Sequence, residues 1–330
     1  MKYGSVPGIG LPVSRLVLGS VIAPRTEDGP WFELMDRASE LGVNCFDTAH
    51  TYADGDSERV IGRWMKSRGN RERMVILTKC CHHSQDRKRV TPFDIAADLF
   101  DSLSRLDTPY VDMLVLHRDD PGVPVGPIVE ALHGHREAGR VRAYGGSNWT
   151  WRRMKEANDY AASHGLHPFA VSSQHFSLAE QVQDPWGGGC VSVAGPNEAE
   201  ARSWHLAAGI PLFAYASLSG GLFSGRFTRE SFESMKAAGK IGEDCLRAYC
   251  YPRNFDRQDR AIKLAAMKGL SLPQIAIGYV VSHAEHGILD VHALVGAWSA
   301  EELESDVAGA ELLLSRAEIE WLDLRRDSLD

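Results

Sequence analysis

The sequence predicts an α/β protein built as a (β/α)8 TIM barrel, and three observations support this fold class. Short apolar runs rich in β-branched residues alternate with longer amphipathic segments from one end of the chain to the other, as in βα units around a parallel sheet. Eight such runs can be counted, and eight parallel strands close a barrel. The length of 330 residues suits one barrel, so we expect residues 1–330 to form a single domain.

The predicted elements follow one another in βα order. The predicted strands are 16–18, 43–46, 74–78, 111–116, 141–144, 170–173, 212–215 and 291–295. The predicted helices are 31–41, 57–66, 92–105, 127–138, 151–164, 198–207, 256–268 and 301–308. The third helix illustrates the reasoning, because Thr91 is a typical N-cap, Pro92 suits a first helical turn, and apolar residues then recur at three- or four-residue intervals.

Three further segments are predicted around this core. Glycine and proline at turn-like spacing in residues 1–14 predict a β-hairpin that covers the bottom of the barrel. The connections 175–196 after the sixth strand and 216–255 after the seventh are long. Loops of more than about 15 residues in a compact domain are usually functional, so we expect both to contribute to a binding site.

The composition disfavours several classes of partner. Acidic residues outnumber basic ones by 44 to 36, which gives a net charge of -8 and a pI near 5.9. A nucleic-acid ligand would call for a clustered basic face. No run of about 18 apolar residues predicts a membrane span, and the first residues do not resemble a signal peptide. We therefore expect a cytoplasmic protein that acts on small molecules.

The cysteines are expected to be reduced. Six cysteines in 330 residues, without a CxxC pair, do not make a disulfide framework. The run Cys80-Cys81-His82-His83 places possible metal ligands side by side. Because neighbouring residues of a strand point to opposite faces, we predict no metal site there.

Polar side chains follow the predicted strands at the points where the strands end. A (β/α)8 barrel builds its active site at this end. The residues there are Asp47, Lys79, His117, Ser147, Asn148, Gln174 and Tyr215, and Tyr52 follows Asp47 by five positions.

Four of these side chains together permit carbonyl reduction. A tyrosine is a weak acid at neutral pH, but a neighbouring ammonium such as that of Lys79 stabilises the phenolate and should lower the pKa of Tyr52. Asp47 would keep Lys79 protonated, and His117 offers a hydrogen bond to a substrate oxygen. The set can deliver a proton to an oxygen that gains negative charge. A cofactor would have to supply the hydride.

Six strings at strand ends also resemble the aldo-keto reductase superfamily in order and spacing. They are FDTAHTYADGDSERVIG, ILTK, LVLHRDD, VRAYGGSNWT, SSQHFSL and PLFAYASLSGGLFSGRF. The resemblance extends from about residue 16 to about residue 323. It implies that Tyr52 is the general acid/base, that Asp47 and Lys79 tune its pKa, and that His117 orients the carbonyl.

The same resemblance implies an NADPH or NADH cofactor and a set of residues around it. Ser147, Asn148 and Gln174 would hold the nicotinamide carboxamide, Tyr215 would stack on its ring, and the loop 217–225 would lie over the pyrophosphate. The remaining cofactor positions that it implies are Ser217, Leu218, Gly220, Gly225, Arg226, Gly296, Trp298, Glu302 and Asp306.

The segment after the eighth strand departs from the family pattern. Trp298 stands where a basic residue is common, Glu302 stands where arginine or glutamine is common, and residues 269–315 contain no lysine or arginine. A 2′-phosphate near Glu302 would meet like charge. We therefore expect weak discrimination between the two dinucleotides or a preference for NADH, with Arg226 as a possible phosphate contact.

The function predicted on this basis is reduction of an aldehyde, ketone or sugar-type carbonyl compound. An alternative from another class is a redox-sensing module that binds the nicotinamide cofactor with little turnover. A cofactor-free isomerase or lyase would leave the GGSN, Gln174 and AYASL features without a purpose.

Overall fold

The computed structural model describes residues 1–21 and 28–329, and its centre is a closed barrel of eight parallel strands. The barrel strands are β3 (Leu16–Gly19), β4 (Cys45–Asp47), β5 (Val75–Cys80), β6 (Val111–Leu116), β7 (Val141–Ser147), β8 (Val171–Ser173), β9 (Leu212–Ala214) and β10 (Val291–Val295). Each strand pairs with the next along the chain, and β10 pairs with β3 to close the ring. The predicted fold class is confirmed.

Helices surround the barrel. Their bounds are α1 (Gly29–Glu40), α2 (Asp56–Arg68), α3 (Pro92–Leu106), α4 (Val125–Glu137), α5 (Trp151–Ser163), α6 (Ala199–Ala208), α7 (Phe232–Ala237), α8 (Glu243–Ala248), α9 (Pro252–Lys268), α10 (Leu272–Glu285), α11 (Ala300–Glu311) and α12 (Arg316–Leu322). Helix α3 starts as predicted, since the Thr91 side chain accepts a hydrogen bond from the Asp94 backbone N–H and Pro92 occupies the first turn. Its buried apolar residues include Ile95 and Leu99.

The predicted N-terminal hairpin is present. Strands β1 (Tyr3–Gly4) and β2 (Val13–Ser14) pair in antiparallel fashion. Val6 and Val13 pack against the side chains that fill the barrel interior, among them Cys45 and Val75. The hairpin thus closes the end of the barrel at which the strands begin, and the opposite end is left for the site.

The structure corrects the helix prediction in three places, the simplest being the short helix α12, which was not predicted. Helix α10 was not predicted because it is buried nearly all round, with Ile275, Tyr279 and Val280 among its buried residues, and so lacks an amphipathic stripe. Its start does carry a sequence signal, a capping box between Ser271 and Gln274. The connection 216–255 is not a plain loop, since it contains α7, α8 and the start of α9.

The described residues contain no single helix long and apolar enough to cross a membrane. Helices α9 and α10 reach that length and composition only when joined, and they are bent by 101° relative to each other.

Candidate active site

The polar residues predicted at strand ends come together at one mouth of the barrel. Asp47 and Ser147 are the last residues of β4 and β7, Lys79 is the penultimate residue of β5, and Gln174 directly follows β8. In a parallel barrel these positions surround one opening. All five side chains named next are buried, so the charges among them interact with little screening by water: Asp47, Lys79, His117, Ser147 and Gln174.

A hydrogen-bonded chain links an acid, a lysine and a tyrosine in this mouth. Lys79 Nζ lies 2.5 Å from Asp47 Oδ1, 2.9 Å from the Thr48 carbonyl oxygen and 3.1 Å from Tyr52 Oη. The ammonium therefore uses its three N–H donors on one carboxylate, one carbonyl and the phenol. This arrangement fixes Lys79 between Asp47 and Tyr52, as the sequence predicted.

The pKa shifts of this chain follow from burial and from the lysine. Burial raises the pKa of Tyr52, and it outweighs the lowering by Lys79. The expectation that Lys79 brings the pKa of Tyr52 below its ordinary value is therefore wrong for the protein without ligands, because desolvation of the phenolate dominates. Burial would lower the pKa of Lys79, but Asp47 and Tyr52 more than offset this and raise it. At neutral pH the tyrosine is consequently a phenol and the lysine an ammonium.

His117 completes the predicted tetrad. Its ring centroid lies 5.7 Å from that of Tyr52 and 4.7 Å from that of His82. Burial, followed by the charges of Lys79 and neighbouring cations, lowers the pKa of His117 well below its usual value. Its Nδ1 has no hydrogen-bond partner among the described residues. The imidazole is thus neutral and can donate one hydrogen bond without carrying charge.

The residues predicted to hold a nicotinamide carboxamide surround the same mouth. Tyr215 Oη donates to Asn148 Oδ1 over 2.8 Å, and Asn148 Nδ2 donates to Ser147 Oγ over 3.2 Å. Gln174 Nε2 donates to the Trp149 carbonyl oxygen over 2.6 Å. The opposite atom, Gln174 Oε1, is buried and has no partner among residues 1–21 and 28–329. A carboxamide N–H would satisfy this acceptor, so these residues fit the predicted group.

The glycine-containing loop after β9 meets the prediction only in part. A Cβ added at Gly225 would meet no described atom within 4 Å, so the backbone there is open to a ligand. A Cβ at Gly220 would lie 3.3 Å from Cys245 Cβ, on the protein side of the loop. A glycine at position 220 is therefore explained by its φ of 61° and by close packing against Cys245, and not by the approach of a ligand. Ser217 Oγ donates internally to the Ala214 carbonyl oxygen, and Leu218 is partly buried against the core.

The predicted adenosine end carries an ion pair. Arg226 Nη2 lies 3.5 Å from Glu302 Oε1, and the Trp298 backbone N–H donates to Glu302 Oε2 over 2.9 Å. Gly296 and Trp298 are exposed, the latter by 65%. Asp306 is buried on α11, where burial and then the charge of Glu302 raise its pKa to about 7. At this end, the cation Arg226 therefore already has an acidic partner, Glu302.

The sequence prediction missed a cluster that the connection 175–196 brings to the mouth. Trp186 lies with its ring centroid 5.9 Å from that of Tyr215, and Arg118 Cζ lies 5.7 Å from the centre of the Trp186 ring. The connection is fixed by Val191 N–H, which donates to Asn148 Oδ1, and by Asp184, which accepts from the backbone of Trp186. Arg118 stands next to His117 in the string LVLHRDD, which was the one available signal.

Possible metal ligands lie elsewhere. Cys80 and Cys81 are buried in the core, and the His82 ring packs on His117. At the end of the barrel where the strands begin, ligand atoms of His133, Glu137 and His167 lie within 4.8 Å of one another. His167 Nε2 is already 3.2 Å from Glu137 Oε1. These three residues lie away from the mouth.

Comparison with known proteins identifies the family. The model of the Aldo/keto reductase family matches residues 16–324. Norsolorinic acid reductase B of Dothistroma septosporum is 27% identical over 301 residues, which cover 88% of this chain and 71% of that protein. A probable aryl-alcohol dehydrogenase of Saccharomyces cerevisiae is 27% identical over 315 residues, which cover 88% of this chain and 86% of that protein.

A similar solved structure is that of a thermostable aldo-keto reductase in complex with the inhibitor epalrestat. Its TM-score is 0.74 at 21% sequence identity, and the match covers 99% of this chain and 100% of that chain. This similarity concerns the fold. Because the family model matches nearly the whole chain, the protein belongs to the aldo/keto reductase family.

Proposed function

We propose that the protein reduces an aldehyde, ketone or sugar-type carbonyl group to an alcohol with NADH or NADPH, and that Tyr52 is the general acid. Membership of the family makes the protein an oxidoreductase of small carbonyl compounds; the proposal adds the residues and the cofactor. The observation that carries it is the contact of Lys79 Nζ with both Asp47 Oδ1 and Tyr52 Oη.

The proton step follows from this contact. A reduced nicotinamide supplies a hydride when bound. Tyr52 Oη donates its proton to the carbonyl oxygen as negative charge develops there, and Lys79 Nζ stabilises the phenolate that Tyr52 becomes. Asp47 keeps Lys79 protonated. Neutral His117 donates a hydrogen bond to the same carbonyl oxygen and so fixes its orientation toward Tyr52.

The cofactor would be held by residues of the connections that follow β8 and β9. Gln174 Oε1 would accept from the carboxamide, Tyr215 would pack on the ring, and the open backbone at Gly225 would approach the pyrophosphate. At the predicted adenosine end, Glu302 already forms an ion pair with Arg226. We infer that a 2′-phosphate gains little there, so that NADH binds at least as tightly as NADPH.

The test is turnover by the purified protein with each reduced cofactor against a panel of aromatic, aliphatic and sugar aldehydes, followed at the absorbance of the reduced nicotinamide. We expect saturable turnover with at least one aldehyde. Slow cofactor oxidation throughout, with tight cofactor retention, would indicate a redox-sensing module and contradict the proposal.

The cofactor preference is tested separately by titrating both reduced cofactors while tryptophan fluorescence is followed. The variant Trp298→Phe serves as a control for the origin of the signal. A dissociation constant for NADPH a hundredfold below that for NADH would overturn the inferred preference and would leave the proposed reaction intact.

A further inference from the structure

Arg118 is a buried cation without a carboxylate partner in residues 1–21 and 28–329. Among the described residues three lysines or arginines are buried, namely Lys79, Arg118 and Arg257. Lys79 pairs with Asp47, and Arg257 pairs with Glu180. Arg118, which is 8% exposed, makes no ion pair with any described residue. Its one hydrogen bond is a long contact of 3.5 Å from Nη1 to the His117 carbonyl oxygen.

The nearby acids are engaged with other groups. Asp119 lies 3.4 Å from Arg153 Nε, and Asp120 lies 3.1 Å from Lys88 Nζ. The carboxylate of Asp184 accepts from the backbone N–H groups of Trp186 and Cys190 over 2.8 and 2.7 Å. The guanidinium of Arg118 therefore keeps most of its five N–H donors for another acceptor.

The guanidinium lies at the entrance to the candidate active site. Arg118 directly follows His117 in the sequence. The Arg118 Cζ atom lies 5.7 Å from the centre of the Trp186 ring, and its Cδ atom lies 3.9 Å from a Cβ placed on Gly189. It thus stands between the tetrad and the connection 175–196. Its charge also adds to burial in lowering the pKa of His82, which packs on His117.

An unpaired buried cation is costly unless something compensates it. Contact with the Trp186 ring at 5.7 Å compensates only in part, since a cation–π contact is weaker than a paired and hydrogen-bonded carboxylate. A guanidinium at a substrate entrance is well suited to bind a carboxylate with two parallel hydrogen bonds. The neighbouring ring of Trp186 offers a surface for a flat ligand.

We propose that Arg118 binds a carboxylate on the carbonyl substrate, so that the preferred substrates are aldehydes or ketones that carry an acid group on a planar body. This assignment rests on the proposed function of the site. Arg118 is then a substrate-binding residue that sets specificity and takes no part in proton transfer.

The experiment compares two aldehydes that differ in one charge, 4-carboxybenzaldehyde and methyl 4-formylbenzoate. In the wild type kcat/KM should favour the acid over the ester. In Arg118→Met the value for the acid should fall by about tenfold to a hundredfold, the range for a lost hydrogen bond to a charged group, while that for the ester changes little. Arg118→Lys should restore part of the preference. Arg152→Met removes one charge from the exposed surface and should leave the ratio unchanged.

Two results would overturn the assignment. One is an equal fall for acid and ester in Arg118→Met, which would indicate a structural role. The other is a loss of NADH affinity in that variant without substrate, which would assign the cation to the cofactor.

Binding is measured independently of turnover by tryptophan quenching with terephthalate. If the wild type reduces neither aldehyde but binds terephthalate at least tenfold more tightly than Arg118→Met, the proposed function fails for these compounds and the anion site stands. Equal terephthalate binding by the two proteins would contradict the anion site itself.

Discussion

Tyr52 illustrates how burial and one neighbouring charge act on a single side chain. Burial raises the pKa of the phenol, and Lys79, 3.1 Å away, opposes that rise. The protonated form is thereby kept at neutral pH, which an acid needs before the reaction. The same ammonium is already in place for the phenolate afterwards, so no side chain has to move between the two states.

Replacing Tyr52 by phenylalanine should abolish turnover and preserve cofactor binding. The change removes only the hydroxyl that contacts Lys79, and the loss of a positioned general acid typically costs about 10²–10⁴-fold in rate. The measurements are kcat with the best aldehyde of the panel and the NADH dissociation constant from tryptophan fluorescence. A loss of kcat smaller than about tenfold is less than a general acid is expected to contribute. Such a result would show that another group donates the proton.

Replacing Glu302 by glutamine should shift the cofactor preference toward NADPH. The change removes a negative charge next to the adenosine end and releases Arg226, now 3.5 Å from Glu302 Oε1, for a phosphate. We expect the ratio of the NADH to the NADPH dissociation constant to rise by about tenfold, the value of one charged hydrogen bond. Glu301→Gln on the same helix is the matched control, and an identical shift in both variants would contradict a specific role of Glu302.

At the scale of elements, the barrel strands and their polar ends could be predicted because both depend on local sequence. β-Branched runs give the strands, and the residue after each run lies at the mouth whatever the packing of the rest. Helix α10 could not be predicted from a stripe, since its surroundings bury it on nearly every side. Arg118 and Trp186 were missed as a pair because they are 68 positions apart, and only the folded path of the connection 175–196 brings them together.

Helix α11 contains a carboxyl that opposes folding at alkaline pH. The pKa of Asp306 is about 7 in the folded protein, against an ordinary value of 3.8. Between these values the folded state binds the proton more tightly, so the contribution of Asp306 to the stability becomes less favourable as the pH rises from about 4 to 7. Above pH 7 the penalty is fully present.

Asp306→Asn should therefore stabilise the protein at pH 8 and have little effect near pH 4. The gain at pH 8 is expected to reach on the order of a few kcal/mol, since one pKa unit corresponds to about 1.4 kcal/mol. Thermal or urea unfolding at both pH values measures it, with Glu304→Gln as an exposed control on the same helix. A gain that does not depend on pH would show that the carboxyl is not the cause.

At the scale of the whole molecule, the first and last barrel strands depend on each other. Strand β10 pairs with β3 through the contacts Ala293–Leu16 and Val295–Leu18, so the ring closes only when both ends of the chain are in place. That residues 1–330 form one domain stays a prediction, and this closure is the feature that favours it.

Buried neutral histidines distributed over the molecule predict that acid destabilises it. Burial lowers the pKa of His175 to about 3 and those of His283 and His292 to about 4, against an ordinary value of 6.5. Between pH 6.5 and pH 4 the unfolded chain binds protons at these positions and the folded protein does not. The stability that these histidines contribute is therefore fully present above about pH 6.5 and is lost as the pH is lowered, which outweighs the opposite effect of the single Asp306.

Each of these histidines should reduce the free energy of unfolding by about 1.4 kcal/mol per pH unit across that window. Unfolding midpoints in urea between pH 7.5 and pH 4.5 measure the slope. His283→Leu should make the slope shallower by one histidine, because the leucine has no proton to gain on unfolding, whereas His164→Gln, at an exposed position, should leave it unchanged. A free energy of unfolding that stays constant across this range would mean that the buried imidazoles become protonated in the folded protein, which requires water or a counter-ion to reach them.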